Sequence, residues 1–205
     1  MARRGRPKGA CGEESRALLL DMAAKAFAQH GYHETKVSMI VKSASVTQPT
    51  FYLYFENKEA IFKELVELFR HRLFQFAEKS RLQPNLDLGT IEGRITHTLT
   101  NLLRFFSMQP DLTRIGFYLS AEATQIKTEL SAQIKDNLDS EVKEGYFRSD
   151  VNTEMVAESL VGMIERLTVT QLFTKRKEPE VIAEEIVQLF LYGLLPNRGC
   201  IDNKK

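Results

Sequence analysis

The chain has 205 residues, 43% hydrophobic and 27% charged, a composition that is typical of a globular protein and excludes a disordered one. Its longest apolar run, residues 189–195, is far shorter than the ~20 residues that span a bilayer, and no secretory signal opens the sequence. We therefore expect a cytoplasmic protein with no membrane partner. The net charge is +1, but residues 1–58 hold nine basic and five acidic side chains, so this end of the chain is suited to a polyanion.

Apolar residues recur at helical spacing along the chain, and no hairpin signal interrupts them, which predicts an all-α fold. The first helix is expected at residues 13–31, after a basic flexible arm at residues 1–12. Thr35 is placed to cap a short second helix, and Thr47 a short third one. Three helices with a tight connection between the last two form a helix-turn-helix arrangement, which we place at residues 13–57.

The third helix lies in the stretch TQPTFYLYF and has a proline in its first turn. If Thr47 is the cap, Pro49 costs no hydrogen bond, because first-turn amides have no helical acceptor. Pro49, the methyl group of Thr50 and Leu53 form an outer row that would suit thymine methyl groups in a major groove. Gln48 projects toward the core on a helical wheel, but at the helix tip it can turn forward and pair with adenine, so it is a candidate base-reading residue.

Four aromatic residues crowd into five positions of the same stretch. At ~100° per residue, Phe51 and Phe55 lie on one side, which we predict to be buried. Tyr52 and Tyr54 fall on the two flanks. Spacing alone leaves two interpretations of these tyrosines open: half-buried packing, or a hydroxyl contact with phosphate.

Two further basic features point to a nucleic acid. Arg4 and Arg6 stand in RGRP, which looks like the core of AT-hook peptides, narrow ribbons that fit an A/T-rich minor groove; a solubilising tail is the alternative. Lys58 follows Asn57, the predicted cap of the fourth helix. A lysine in the first turn of a helix interacts unfavourably with the helix dipole unless an anion binds beside it. The position of Lys58 therefore predicts a phosphate contact.

The rest of the chain is also predicted to be helical. Residues 80–90 hold proline, asparagine and glycine and are expected to form a loop. Five more helices complete a total of about nine, at about residues 90–107, after Pro110, and at about residues 121–144, 152–175 and 179–195.

No pattern that carries catalytic chemistry accompanies these helices. The four histidines show no metal-ligand spacing and no pairing with a nucleophile, and there is no phosphate-binding glycine loop. The sequence therefore predicts neither an enzyme nor a metal site, and it implies no cofactor.

Residues 23–62 resemble the signature of the tetracycline-repressor (TetR-like) family of transcriptional regulators. The matching residues are Ala23, Phe27, Gly31, Tyr32, Thr35, Val37, Ile40, Val46, Thr47, Thr50, Phe51, Tyr52, Tyr54, Phe55, Lys58 and Glu59. The resemblance implies a homodimer that binds a pseudo-palindromic operator in double-stranded DNA, usually as a repressor, and that a small-molecule effector releases. It also implies a set of DNA-facing positions, matched here by Thr35, Lys36, Thr47, Gln48, Pro49, Thr50, Tyr52, Tyr54 and Lys58.

Two residues depart from the family pattern. The family usually has glycine where Ser45 stands, so Ser45 is expected to adopt an unfavourable turn geometry at modest cost. It usually has glycine or another small residue where Pro49 stands, and the proline ring replaces a closely approaching backbone. The base preference of relatives should therefore not transfer to this chain.

For residues 58–197 the resemblance rests on length and helix count and implies a ligand-sensing and dimerisation domain, with a tail at residues 198–205. The implied dimer interface lies in the last two helices and includes Gly162, Ile186, Leu189, Phe190 and Leu194. Candidate ligand contacts are Phe105, Arg114, Phe117, Tyr118 and Met163. Aromatic residues at helical spacing are more often plain core, which is the alternative for these.

A second function stays open at this point: a helix-turn-helix protein that organises or regulates DNA through a protein partner, without small-molecule control. Either protein would act in the cytoplasm and associate with the nucleoid when bound to DNA. The two functions differ in one measurable respect, the loss of operator binding when a small molecule is added.

Overall fold

The computed structural model of the protein describes residues 8–82 and 88–194. Within these ranges the chain forms nine α-helices and no β-strand, which confirms the predicted all-α fold. The helices are α1 (Lys8–Glu34), α2 (Val37–Ser43), α3 (Gln48–Tyr52), α4 (Lys58–Ser80), α5 (Ile91–Met108), α6 (Pro110–Arg114), α7 (Ala123–Lys143), α8 (Thr153–Leu167) and α9 (Pro179–Tyr192). Shorter segments are 3₁₀-helical at Leu88–Thr90 and π-helical at Ile115–Leu119 and Thr168–Leu172.

The first helix departs from the prediction at its beginning. α1 begins at Lys8, so residues 8–12 of the predicted flexible arm are helical. A helix that packing has already nucleated adds further residues at small cost, and composition alone does not reveal this. The predicted stop at Gly31 is a kink, with φ 76° and ψ 170°, after which α1 runs on to Glu34. Arg4 and Arg6 lie outside the described residues.

The prediction that Thr35 caps α2 is wrong. Its side chain is fully buried, and its hydroxyl donates to the carbonyl oxygens of Gly31 (2.7 Å) and Ala26 (3.2 Å). Lys36 takes the N-cap position with an extended backbone and without a side-chain hydrogen bond. Because carbonyl groups near a helix end lack amide partners, the Thr35 hydroxyl is drawn inward to the end of α1.

The start of two later helices agrees with the sequence analysis. Oδ1 of Asn57, the predicted cap of α4, accepts from the amide of Ala60 at 2.9 Å. Oδ1 of Asn152, where a helix was expected to begin, accepts from the amide of Met155 at 3.0 Å. Gly145, an expected stop, follows α7 with φ +81°.

The described chain divides into two compact units. The first comprises residues 8–72 and 111–126, and the second comprises residues 73–82, 88–110 and 127–194. The domain boundary expected after residue 57 stays a prediction.

Residues 111–126 join the first unit through a close approach at Gly116. The rings of Phe69 on α4 and Phe117 are both fully buried, with centroids 5.9 Å apart. A Cβ atom at Gly116 would stand 2.1 Å from Cδ1 of Phe69, a distance at which two carbon atoms overlap. The π-helical segment can therefore pack against α4 only because this residue has no side chain.

In the second unit α5 packs along α9 in the antiparallel direction. Near the end of α5, Nε of Arg104 donates to Oε1 of Glu180 at the start of α9 (2.6 Å). At the start of α5, the carboxylate of Glu92 accepts from Nε2 of Gln188 (2.7 Å) and from the hydroxyl of Tyr192 (2.6 Å), both late in α9. Because these contacts are exposed, each contributes little to the stability of the fold. Their main effect is to fix the alignment of α5 with α9.

The close approach at Gly116 predicts that Gly116→Ala destabilises the protein. We expect the free energy of unfolding to fall by about 1–3 kcal/mol, the usual cost of overpacking a core. Urea unfolding at a fixed protein concentration measures this loss. The matched control is Gly93→Ala on α5, where an added Cβ meets nothing within 4 Å, so the better helix propensity of alanine should raise stability by up to ~1 kcal/mol. Equal behaviour of the two variants would contradict the packing account.

Candidate nucleic-acid interface and internal cavity

The helix α3 has five residues, too few to be stable alone, and is held by its buried side. Phe51 and Phe55 are both buried, with ring centroids 5.6 Å apart, as predicted. The guanidinium of Arg16 lies 5.1 Å from the ring centroid of Phe55. The predicted cap is confirmed: Oγ1 of Thr47 accepts from the amide of Thr50 at 3.4 Å, and Pro49 falls in the first turn.

The opposite side of α3 is open. Gln48 and Pro49 are exposed, and Leu53, just after the helix, is 79% exposed. Thr50 is half-buried, and its hydroxyl is hydrogen-bonded to that of Thr47 (2.9 Å). The outer row predicted from the helical wheel therefore exists as an apolar strip that starts at the helix tip.

The two flanking tyrosines have different surroundings. The Tyr52 side chain is exposed and meets the buried Phe51 ring edge-on, with centroids 5.4 Å apart. Tyr54 is half-buried, and its hydroxyl lies 3.6 Å from where a Cβ atom of Gly12 on α1 would stand. Of the two interpretations left open by spacing, phosphate contact therefore suits Tyr52 and half-buried packing suits Tyr54.

Lys58 has partners inside the protein, which the sequence analysis missed. Its Nζ donates to the carbonyl oxygens of Tyr32 (2.7 Å) and His33 (3.3 Å), and lies 4.4 Å from the centroid of the Tyr32 ring. The last carbonyl groups of a helix lack amide partners and carry partial negative charge. The end of α1 thus supplies a negative partner for Lys58 without a phosphate, and the predicted phosphate contact stays a prediction.

The turn between α2 and α3 contains the strain expected at Ser45. Ser45 has φ +54°, in the left-handed region that glycine adopts without cost. The turn is closed by hydrogen bonds from the amide of Ser45 to the carbonyl of Lys42 (3.2 Å) and from the amide of Val46 to that of Val41 (3.0 Å).

The second unit contains a partly open cavity of about 820 Å³, within the ~300–1,000 Å³ range of pockets that take drug-sized ligands. Residues of α4, α5, α7, α8 and α9 line it, and most are apolar. Representative apolar lining residues are Leu73, Phe76, Ile95, Leu99, Leu130, Ile134, Leu138, Val156, Leu160, Ile164, Ile186 and Phe190. The sequence predicted each of these helices, but helical periodicity does not show which buried residues enclose a space.

None of the five predicted ligand contacts lines this cavity. Phe117 belongs to the core of the first unit. Phe105 is buried behind the cavity wall, where it stacks on the lining residue Phe76 with centroids 5.6 Å apart. Tyr118 and Met163 are half-buried, and Arg114 is exposed.

Two polar residues of α7 stand in the wall of the cavity instead, and sequence analysis singled out neither. Glu141 is only 5% exposed, and its Oε1 accepts from the amide of Leu82 at 3.0 Å. Burial raises the pKa of the Glu141 carboxyl above its ordinary value. One helical turn earlier, Nδ2 of Asn137 donates to the carbonyl of Ala77 (2.9 Å) and to Oγ of Ser80 (3.1 Å).

The residues predicted at a dimer interface are only partly on the surface. Gly162, Leu189 and Leu194 are exposed, and an added Cβ at Gly162 would meet nothing within 4 Å. Ile186 is 2% exposed and Phe190 half-buried, and both line the cavity, so their burial does not support the predicted place at an interface. Other large apolar side chains of α8, the π-helical segment after it and α9 are exposed, namely Met155, Val169, Val181 and Tyr192.

Two general features complete the description of residues 8–82 and 88–194. No helix there is both long and apolar enough to cross a membrane. No group of three or more His, Cys, Asp or Glu side chains in the same ranges could hold a metal ion.

The short helix α3 faces outward and is held by the core that it forms with α1 and α2. This arrangement is the one found in helix-turn-helix DNA-binding proteins. Residues 19–65 match the model of bacterial regulatory proteins of the tetR family. The chain is 45% identical over 185 residues to the uncharacterized HTH-type transcriptional regulator YdgC of Bacillus subtilis (strain 168), covering 90% of this chain and 95% of that protein. The chain belongs to the TetR family of transcriptional regulators.

More distant relatives share the fold. The fatty acid metabolism regulator protein of Bacillus subtilis (strain 168) is 24% identical over 189 residues, covering 86% of this chain and 93% of that protein. The structure of the transcriptional regulator FadR from Bacillus subtilis in complex with stearoyl-CoA superposes with a TM-score of 0.65 at 20% identity, covering 87% and 99% of the two chains.

The raised pKa of Glu141 predicts a pH-dependent effect of Glu141→Gln. At a pH below the pKa that the carboxyl has in the unfolded state, the carboxyl is neutral in both the folded and the unfolded protein. As the pH rises through the pKa of the folded state, the carboxyl ionises in a buried site and stability is lost. The neutral, nearly isosteric amide escapes this loss. We therefore expect the variant to exceed the wild type in free energy of unfolding near pH 7 and to approach it as the pH falls.

Urea unfolding at a series of pH values measures this difference. Glu144→Gln, at an exposed acid three residues further on, is the control; its charge is screened by solvent, so it should alter stability much less than Glu141→Gln at every pH. Arg81 and Glu144 are the charged groups that act on Glu141 electrostatically, in opposite directions. A stability difference for Glu141→Gln that grows toward acid would contradict the assignment.

Proposed function

We propose that the protein is a homodimeric repressor that binds a pseudo-palindromic operator through α3 and leaves it when a small molecule with an apolar body fills the cavity. The single observation that carries the DNA-binding part is the exposed face of α3, which Phe51 holds outward. Such a protein would act in the cytoplasm, at the nucleoid.

The exposed residues of α3 have distinct roles in this proposal. Pro49, the Thr50 methyl group and Leu53 contact thymine methyl groups in the major groove, and Gln48 reads adenine from the helix tip. Tyr52 donates its exposed hydroxyl to a phosphate.

Residues outside α3 complete the DNA-binding surface. Lys36 is exposed at the start of α2 and serves a phosphate. Thr35 and Lys58 act indirectly, by fixing the end of α1, and Thr47 and Tyr54 position α3. Arg4 and Arg6 reach the minor groove beside the operator.

Dimerisation through α8 and α9 is supported by their exposed apolar residues. Gly162 leaves room for a close helix approach, and Leu189 and Leu194 are exposed although apolar. Exposed apolar surface of this kind marks interaction sites. A two-fold axis would place two copies of α3 one DNA turn apart, about 34–36 Å, on half-sites of opposite orientation.

Ligand control is supported by the cavity and by a relative. The cavity is large enough for a drug-sized molecule and its lining is mostly apolar. FadR from Bacillus subtilis, which shares the fold, has been solved in complex with stearoyl-CoA, a ligand with a long apolar chain. The cavity favours this function over a regulator that works through a protein partner without a small molecule.

Selection of bound fragments from a genomic DNA pool with the purified full chain tests the operator prediction. We expect an inverted repeat with half-sites one helical turn apart. Tyr52→Phe should then weaken binding to every operator variant by about tenfold or more, since a hydrogen bond to a charged group is worth ~1.5–3 kcal/mol and ~1.4 kcal/mol is tenfold. Tyr54→Phe, whose hydroxyl packs beside α1, is the control and should change affinity less.

A Tyr52→Phe effect confined to one base position would contradict the phosphate role. Recovery of sites without two-fold symmetry would contradict the proposed homodimer.

A further inference from the structure

We propose that the cavity of the second unit binds an apolar amine, with the cationic head against Glu141 and the hydrocarbon body along the apolar walls. The assignment rests on the proposed function, because it names the class of effector for the same cavity. It follows from the charge of the cavity wall.

Glu141 is a buried acid without an ion-pair partner among the described residues, although the exposed Arg81 acts on it electrostatically from a distance. Its carboxylate accepts one hydrogen bond, from the amide of Leu82 to Oε1, and no Lys, Arg or His of residues 8–82 and 88–194 forms an ion pair with it. A neutral acceptor such as glutamine would serve that amide without the cost of burying a charge. A carboxylate that lines a ligand-sized cavity instead gains from a ligand that brings the positive charge.

A second acceptor stands one helical turn away on the same wall. Asn137 lines the cavity; its Nδ2 donates to Ala77 and Ser80, and its Oδ1 accepts from Gln133 (3.2 Å), which leaves that oxygen a second lone pair. Residues four apart on a helix have Cβ atoms ~5–6 Å apart. In the proposed complex one ammonium group, which has three donors, serves Glu141 first and Asn137 second.

The remaining charges of the lining do not favour an acidic head. Glu92 adds a second carboxylate at the α5–α9 end of the cavity. Among the described lining residues the cation is Arg148, whose exposed side chain lies 3.4 Å from Asp150. A fatty acid or a phosphate-bearing thioester would place negative charge beside Glu141 without a buried cation to balance it, so like charges would repel.

Three probes with the same ten-carbon chain separate the possible heads: decylamine, which is cationic at pH 7, decanol and decanoate. Isothermal titration of the full chain, below the micelle concentration of each probe, gives the three dissociation constants. We expect one site per chain and the order decylamine, decanol, decanoate from tightest to weakest. Glu141→Gln should weaken decylamine binding at least tenfold and change decanol binding less than about twofold.

Glu144→Gln is the matched control, because it removes the same charge at an exposed position three residues away, outside the cavity lining. It should leave all three affinities within about twofold. The wild-type order of the probes is a second readout that needs no variant. Tightest binding of decanoate, decylamine affinity that survives Glu141→Gln, or no saturable binding of any probe overturns the proposal.

Adding decylamine to the preformed operator complex separates failure of this proposal from failure of the proposed function. Release of the wild type but not of the Glu141→Gln variant supports both. Saturable decylamine binding without release supports the ligand class and overturns release through this cavity. An operator that binds the protein while decylamine neither binds nor releases it overturns the amine class alone.

Discussion

Burial of Phe51 is the interaction on which the DNA-facing surface depends. α3 has five residues, and a helix of that length has no stability of its own. The ring of Phe51 is fully buried, and Phe55 follows it on the same side. Because the side of α3 that carries Phe51 is fixed in the core, helical geometry places Pro49 and Leu53 on the outer side. The apolar strip that is proposed to meet DNA is therefore a consequence of the core beneath it.

Local features of this region could be predicted because each depends on neighbours in sequence. The Thr47 cap acts over three residues, and the left-handed Ser45 follows from a two-helix turn that usually contains glycine. The contacts that the sequence did not reveal involve distant partners. Lys58 bonds to carbonyl groups 25 and 26 residues earlier, and the Thr35 hydroxyl reaches back nine residues to Ala26. Helical periodicity contains no information about such contacts.

The cavity shows the same division between local and tertiary information. The spacing of apolar residues predicts which side of each helix is buried, but five helices together decide where an empty space is left. Two of the aromatic residues chosen from sequence, Phe105 and Phe117, fill core, and Phe105 does so behind Phe76. Nothing in DSEVKE marks Glu141 as buried, and its hydrogen-bond partner, the amide of Leu82 just after α4, lies 59 residues earlier in the chain.

The most direct test of the central claim, that the apolar strip of α3 reads DNA, is operator affinity with thymine replaced by uracil, base by base. Uracil lacks only the methyl group, which is worth ~0.8 kcal/mol when buried, or about fourfold in affinity. For the wild type, the account predicts a loss of about fourfold in affinity on uracil substitution at one or more positions in each half-site. In the Leu53→Ala variant, the substitution should cost nothing at the position that Leu53 contacts. Uracil substitution that costs nothing anywhere, or that costs wild type and variant equally at every position, would contradict it.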